Sequence, residues 1–228
     1  MRADTIRRTS RPYPRTAAAW TIGCFLLASG ASLLFAIANA AYFELVEGLL
    51  DPVDPNYRAL LFSSWSLILG GAVVIWRPRA FGFQFGRVVE TRRLIVGMCV
   101  VAAMTTAVLL AITGPTPYSA ASAWVEVVLV PFTEELVFRG ILLTVLLLAL
   151  GRIHAPDRAI LLAVVIDGVA FGIAHLANAA TLDLAFVLPQ AVFASVLGMG
   201  CAYLMVKSNS IYPAIVLHAL VNGVVVAF

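Results

Sequence analysis

Apolar residues fill this sequence in long blocks, broken at intervals by short clusters of arginine, aspartate, proline and glycine. Seven blocks stand out, near residues 16–43, 59–76, 94–113, 120–150, 159–178, 184–206 and 210–227. A helix needs about 20 mostly apolar residues to cross the hydrocarbon of a bilayer. The pattern therefore predicts an all-α fold, a polytopic transmembrane helix bundle of about seven spans. The fourth block is the longest, and Pro131 inside it is expected to kink or restart the helix.

The polar punctuation orients the bundle. Arg2, Arg7, Arg8, Arg11 and Arg15 precede the first block. Arg77, Arg79, Arg87, Arg92 and Arg93 fall between the second and third, Arg152 and Arg158 between the fourth and fifth, and Lys207 between the last two. Thirteen of the fifteen basic residues thus lie on alternate loops, while the intervening loops hold only Arg58 beside Asp51, Asp54 and Asp183. Basic loops stay in the cytoplasm, so the N-terminus is expected there. Residues 1–15 read as a basic cytoplasmic tail and 16–228 as a single transmembrane domain without internal repeats. Ala38-Asn39-Ala40 looks like a signal-peptidase site, but the first block is longer than a signal-peptide core, and cleavage would break the alternation of charged loops. The segment 78–93 mixes aromatics with arginines and is expected to lie on the cytoplasmic headgroups.

Composition agrees and narrows the field. Of 228 residues, 62% are hydrophobic and 12% charged, with a mean hydropathy of +0.99. Soluble domains average about 45–50% apolar and about 25% charged, so a soluble globule, a disordered chain and a secreted disulfide scaffold are excluded. The net charge of +3 follows from the loop arginines and carries no nucleic-acid reading. Cys24, Cys99 and Cys201 are scattered through apolar blocks without CxxC spacing and read as small buried hydrophobes. The expected location is an integral, multi-pass one, in a bacterial cytoplasmic membrane.

Ionisable groups inside spans are costly and mark functional candidates. Here they cluster. The fourth block holds Glu126, Glu134, Glu135 and Arg139; the fifth holds Asp167 and His175; the seventh holds His218 and Asn222. His154 lies in a basic loop and reads as solvated. Glu135 and Arg139 are four residues apart, share a helix face and can pair. Glu134 points about 100° away, free to face a cavity. Asp167, Phe171 and His175 line one face at four-residue spacing, as do His218 and Asn222. A carboxylate and a histidine on adjacent helices can take the proton of a shared water. A His/Asn pair can donate hydrogen bonds to a developing oxyanion. Together these describe a hydrolase that attacks a carbonyl with water; no GxSxG nucleophile motif is present. Zinc held by Glu134, His175 and His218 is the competing chemistry, although no HExxH marks it. Purely structural helix–helix contacts, a proton-coupled transporter and a non-catalytic membrane scaffold are the other readings.

The motifs also resemble a known family. Glu134-Glu135-Leu136-Val137-Phe138-Arg139 is similar to the EExxxR motif of the CAAX protease and bacteriocin-processing (Abi) family, Phe171 to His175 to its FxxxH, and His218 to Asn222 to its HxxxN. Order, spacing and placement on separate spans match over residues 134–222. The resemblance implies an intramembrane endopeptidase related to the enzyme that trims prenylated CAAX proteins. It implies Glu134 as the base activating water with His175 as its partner, Glu135 as a supporting carboxylate paired with Arg139, and His218 with Asn222 as the oxyanion site. Phe171 would pack beside the catalytic histidine, and Asp167 would support. A cofactor-free, glutamate-dependent reaction is preferred to a zinc-dependent one. The implied partners are membrane lipid and a protein or peptide substrate, prenylated or a leader peptide. A bacteriocin-immunity or scaffold protein of the same fold is the alternative. Six residues follow Asn222, where family members often carry a further helix.

Overall fold

The structure is a computed structural model that describes residues 14–47, 63–64, 67–68, 70–71, 75, 77–114, 123–180 and 182–227. Residues 1–13 of the expected basic tail and nearly all of the block expected at 59–76 lie outside these residues, while Pro14 and Arg15 already belong to the first helix. The described residues are helical, with no strand among them. Among the described residues the long helices are α1 (Pro14–Glu47), α2 (Arg92–Thr113), α3 over 123–151, α4 (Pro156–His175), α5 (Leu184–Ser208) and α6 (Tyr212–Ala227). Segments of α1, α2, α4 and α5 are long and apolar enough to cross a membrane.

The helices begin and end where local chemistry dictates. Pro156 starts α4 at a position whose N–H would have no partner. Asp183 caps α5 by accepting from the Ala185 N–H at 2.7 Å. Asn209 ends it in the left-handed conformation, φ 53°. Pro189 lies inside α5, which continues through it.

α4 and α5 form the closest pair, running antiparallel through small residues. A Cβ on Gly168 would come within 2.7 Å of the Met199 backbone nitrogen and 2.8 Å of the Ser195 carbonyl oxygen. Gly172, one turn on, lies against Ala191 and Ser195. Lipid tails give helices no hydrophobic reason to associate, so close approach of backbones supplies dispersion contact instead. α1 joins through Cys24 and Ala28, which pack with Leu146 and Leu150 of α3 and Ala159 and Ala163 of α4. The outer faces stay apolar and open: Leu27 is 76% exposed, Val101 65% and Val192 67%.

The loops pair as their charges suggest. In the segment after the 3-10 turn Pro78–Phe81, the Arg87 N–H donates to the Ser208 carbonyl at 2.6 Å, and the Ile211 N–H to the Gly82 carbonyl at 2.9 Å. Gly86 has φ 44° and lies against the Ser208 and Asn209 carbonyls, so glycine is required by both conformation and space. His154, between α3 and α4, meets the Thr21 hydroxyl of α1 at 2.7 Å. It is therefore partly buried and partnered rather than simply solvated, and burial together with Arg158 holds its imidazole below the usual histidine range.

Within the strip 78–93, whose Arg79, Phe85, Arg87, Val89, Arg92 and Arg93 are exposed, one ring turns inward. Phe83 does not lie flat on a surface: its ring makes edge contacts with Phe132 of α3, at 6.4 Å between centroids, and Tyr212 of α6, at 6.2 Å. Pairing the loop with the 208–211 turn leaves that ring nowhere to go but inward.

Candidate active site

The candidate residues come from three helices, and α3 is the one that departs from ideal geometry. It carries two wide-turn stretches, Val125–Leu129 and Leu136–Leu143, on either side of Val130–Glu135. Such π segments re-aim side chains and recur at functional sites. The first has a traceable cause. The Val130 N–H donates to the Val125 carbonyl, five residues back. The next donor in that series is missing because residue 131 is proline. The Glu126 carbonyl thereby loses its helical partner, and Asn222 Nδ2 donates to it at 2.9 Å. Pro131 and Asn222 are thus one structural device across α3 and α6.

One turn further on, Glu135 and Arg139 are both fully buried, with Glu135 Oε1 3.2 Å from Arg139 Nη1. The expected pair is present, and it extends further. Arg139 Nε is 3.3 Å from Asp167 Oδ2 of α4, also fully buried. His218 Nδ1 is 2.9 Å from the same Glu135 oxygen. A carboxylate only accepts, so Nδ1 carries a proton and donates it to Glu135. The other ring nitrogen, Nε2, lies 3.6 Å from Glu134 Oε2. The result is a chain running Glu134, His218, Glu135, Arg139, Asp167 across all three helices. Glu134 is its open end, its side chain 14% exposed where that of Glu135 is 0%, as adjacent positions on a helix require.

Aromatic packing completes the arrangement. The Arg139 guanidinium sits 4.4 Å from the centre of the Phe171 ring, a favourable placement for a desolvated cation. Phe171 makes edge contacts with His218 at 5.6 Å and with His175 at 4.7 Å between ring centres. Counted by residues from the loops, the two histidines differ in depth; the structure joins them through the phenylalanine between them. His175 Nδ1 lies 2.9 Å from the Phe171 carbonyl and must donate to it, which leaves Nε2 as its outward atom. No hydrogen bond or ion pair joins His175 to Glu134 among the described residues.

The motifs do not register two further contributors. Gly198 of α5 faces the guanidinium: a Cβ there would lie 2.8 Å from Arg139 Nη2 and 3.2 Å from Phe171 Cβ. Phe138 packs edge-on against Phe171 at 4.9 Å. An isolated glycine in an apolar run gives no signal of its partner, and Gly198 was legible only as one glycine among 16.

Zinc requires its ligands to converge on one point. His218 directs one nitrogen at each of two carboxylates, and His175 lies beyond Phe171. Glu134, His175 and His218 do not converge on a common point, and among the described residues no other trio of histidine, cysteine, aspartate and glutamate is arranged to hold a metal ion. The geometry offers a carboxylate with an imidazole beside it, backed by a buried ion network.

Residues 116–224 match the model of one protein family, described as type II CAAX prenyl endopeptidase, Rce1-like. All six candidate residues from Glu134 to Asn222 fall inside the match. No curated protein and no solved structure matches the chain.

Proposed function

We propose, from the match of residues 116–224 to the Rce1-like family of type II CAAX prenyl endopeptidases, that the chain is an intramembrane endopeptidase using carboxylate-activated water. Its substrate class is a membrane-associated protein or peptide of the CAAX or another lipidated type. The observation that carries this reading is the chain from Glu134 through His218 to Glu135 and Arg139.

The roles follow from where protons can sit. Glu134 is the carboxylate at the open end, and it takes a proton from water. His175 offers Nε2 to orient that water, its tautomer fixed by donation to the Phe171 carbonyl. The hydroxide attacks the scissile carbonyl carbon. The oxyanion accepts hydrogen bonds from the Nε2–H of His218, which in this mechanism is an imidazolium carrying a proton on each ring nitrogen between Glu134 and Glu135, and from the second N–H of the Asn222 amide, the first being used by Glu126. Glu134 then returns its proton to the departing amine. Glu135, Arg139 and Asp167 never touch substrate; they hold His218 and keep its ring from turning. The proposed reaction needs no metal. The proposed topology is seven spans with a cytoplasmic N-terminus, supported by the pairing of the 82–87 loop with the 208–211 turn.

The test is cleavage of a farnesylated CAAX peptide by purified protein, wild type beside Glu134→Gln, with and without a chelator. General-base catalysis contributes about 10²–10⁴-fold, so Glu134→Gln should lose at least about 10²-fold while eluting as wild type does. Cleavage retained by a folded Glu134→Gln protein sinks the proposal. Cleavage abolished by chelator and restored by zinc would reassign Glu134 and the histidines to metal ligation.

A further inference from the structure

α2 and α5 do not close against each other along their whole length. Between them lies an open groove of about 490 Å³, with Gly97 and Val101 on one wall, Val196 and Gly200 on the other and Leu217 of α6 at the floor. Its lining is apolar except at the ends. Arg93 stands at one end and Thr105 at the far one. The distance between them along α2 is about 18 Å at a rise of 1.5 Å per residue. That is close to the hydrocarbon depth of one leaflet, about half of 30 Å.

The charged end has one dominant sign. Arg92 and Arg93 begin α2 and are exposed, and Arg87 bonds through its backbone to Ser208, next to exposed Lys207. Glu90 is the acidic residue of the same segment. The α2 wall is open among the described residues: Gly97 is exposed, and a Cβ built on it meets nothing within 4 Å. An apolar slot one leaflet deep, with a cation at its mouth, has the chemistry of one lipid class. It matches an acyl chain in its length and an anionic headgroup in its charge.

We infer that this groove is a binding site for one anionic phospholipid, its acyl chain between α2 and α5 and its phosphate at Arg93. The inference is independent of the proposed hydrolysis, although Leu217 on the groove floor adjoins His218 in α6. Each basic residue near an anionic lipid surface contributes about 1 kcal/mol, about a fivefold change in affinity.

The full-length protein is reconstituted in phosphatidylcholine vesicles containing a minor fraction of phosphatidylglycerol, re-extracted, washed with detergent, and its retained lipid identified by mass spectrometry. Wild type should retain about one phosphatidylglycerol per chain, well above its share of the vesicle. Arg93→Gln should lower the preference for phosphatidylglycerol about fivefold. Gly97→Leu grows into open space and should expel the lipid whatever its headgroup, with an unchanged elution profile. Retention in the bulk proportion, meaning annular lipid only, overturns the inference. So does wild-type retention by a folded Gly97→Leu protein. If Gly97→Leu fails to fold, an unchanged preference in Arg93→Gln overturns it alone. Lipid absent from wild type, with a farnesylated peptide protected in the groove, would overturn it and assign the slot to substrate.

Discussion

The interface of α4 with α5 and the outer face of α2 are both apolar helix surfaces punctuated by glycine, and they do opposite things with it. At Gly168, Gly172 and Gly198 the missing side chain is replaced by a neighbour: a backbone carbonyl, a backbone nitrogen or the Arg139 guanidinium. At Gly97 the missing side chain is replaced by nothing. The same residue thus marks a close helix–helix contact in one place and an open groove in another. A glycine in a membrane helix is a statement about what must fit beside it, and only the neighbour says what that is. The interior glycines bring α4 and α5 close enough to enclose a guanidinium between them. The α2 glycine leaves a slot.

The contrast is broken most severely by removing the group that the interior encloses. Arg139→Ala would leave Glu135 and Asp167 fully buried with their shared cation gone. Stripping one partner from a buried ion pair costs about 3–5 kcal/mol, so this variant should fail to accumulate as a monodisperse protein in detergent. Arg139→Lys keeps the charge but not the forked geometry and should recover only part of the loss. A well-behaved, stable Arg139→Ala protein would mean that the network is not what holds α3 against α4.

A smaller effect sharpens the comparison directly. Gly168→Val inserts carbons where Met199 and Ser195 already stand and should cost about 1–3 kcal/mol. Gly97→Ala inserts one carbon into free space and should stabilise by about 0.5–1 kcal/mol, the helix-propensity difference alone. Denaturation midpoints in a common detergent measure both. Opposite signs are expected, and the same sign for both would abolish the distinction between the two surfaces.

Much of this site was legible before any coordinates. The Glu135–Arg139 pair follows from four-residue spacing on one helix, because that relation is fixed by the helix itself. So does the divergence of Glu134 from Glu135. What the spacing cannot carry is the relation between helices. His218 could have met any polar group at its depth, and it meets both glutamates. Asp167 was legible as a supporting residue, but its partner Arg139 on α3 was not, since spacing along one helix says nothing of which neighbouring helix a side chain meets. The inward turn of Phe83 was hidden too, because it depends on the 78–91 loop pairing with a turn more than 100 residues away. The all-helical architecture survives these errors because it rests on the length and polarity of each block alone.

The weakest expected effect separates structure from chemistry at Asn222. Its amide supplies the hydrogen bond that Pro131 denies to the Glu126 carbonyl. Asn222→Leu should therefore cost about 1 kcal/mol, the usual scale for one hydrogen bond between membrane helices or slightly above it. Pro131→Ala restores an N–H at position 131, within reach of that carbonyl in the same wide turn. In the Pro131→Ala background, Asn222→Leu should cost almost nothing in stability, and the double-mutant cycle reads the coupling. Cleavage of the farnesylated peptide then answers a different question. If Asn222 only repairs the helix, activity should return together with stability in the double variant. If its second N–H also holds the oxyanion, stability should return while activity stays about 10²-fold down, the usual scale for one lost oxyanion donor. The proposed mechanism requires the second result.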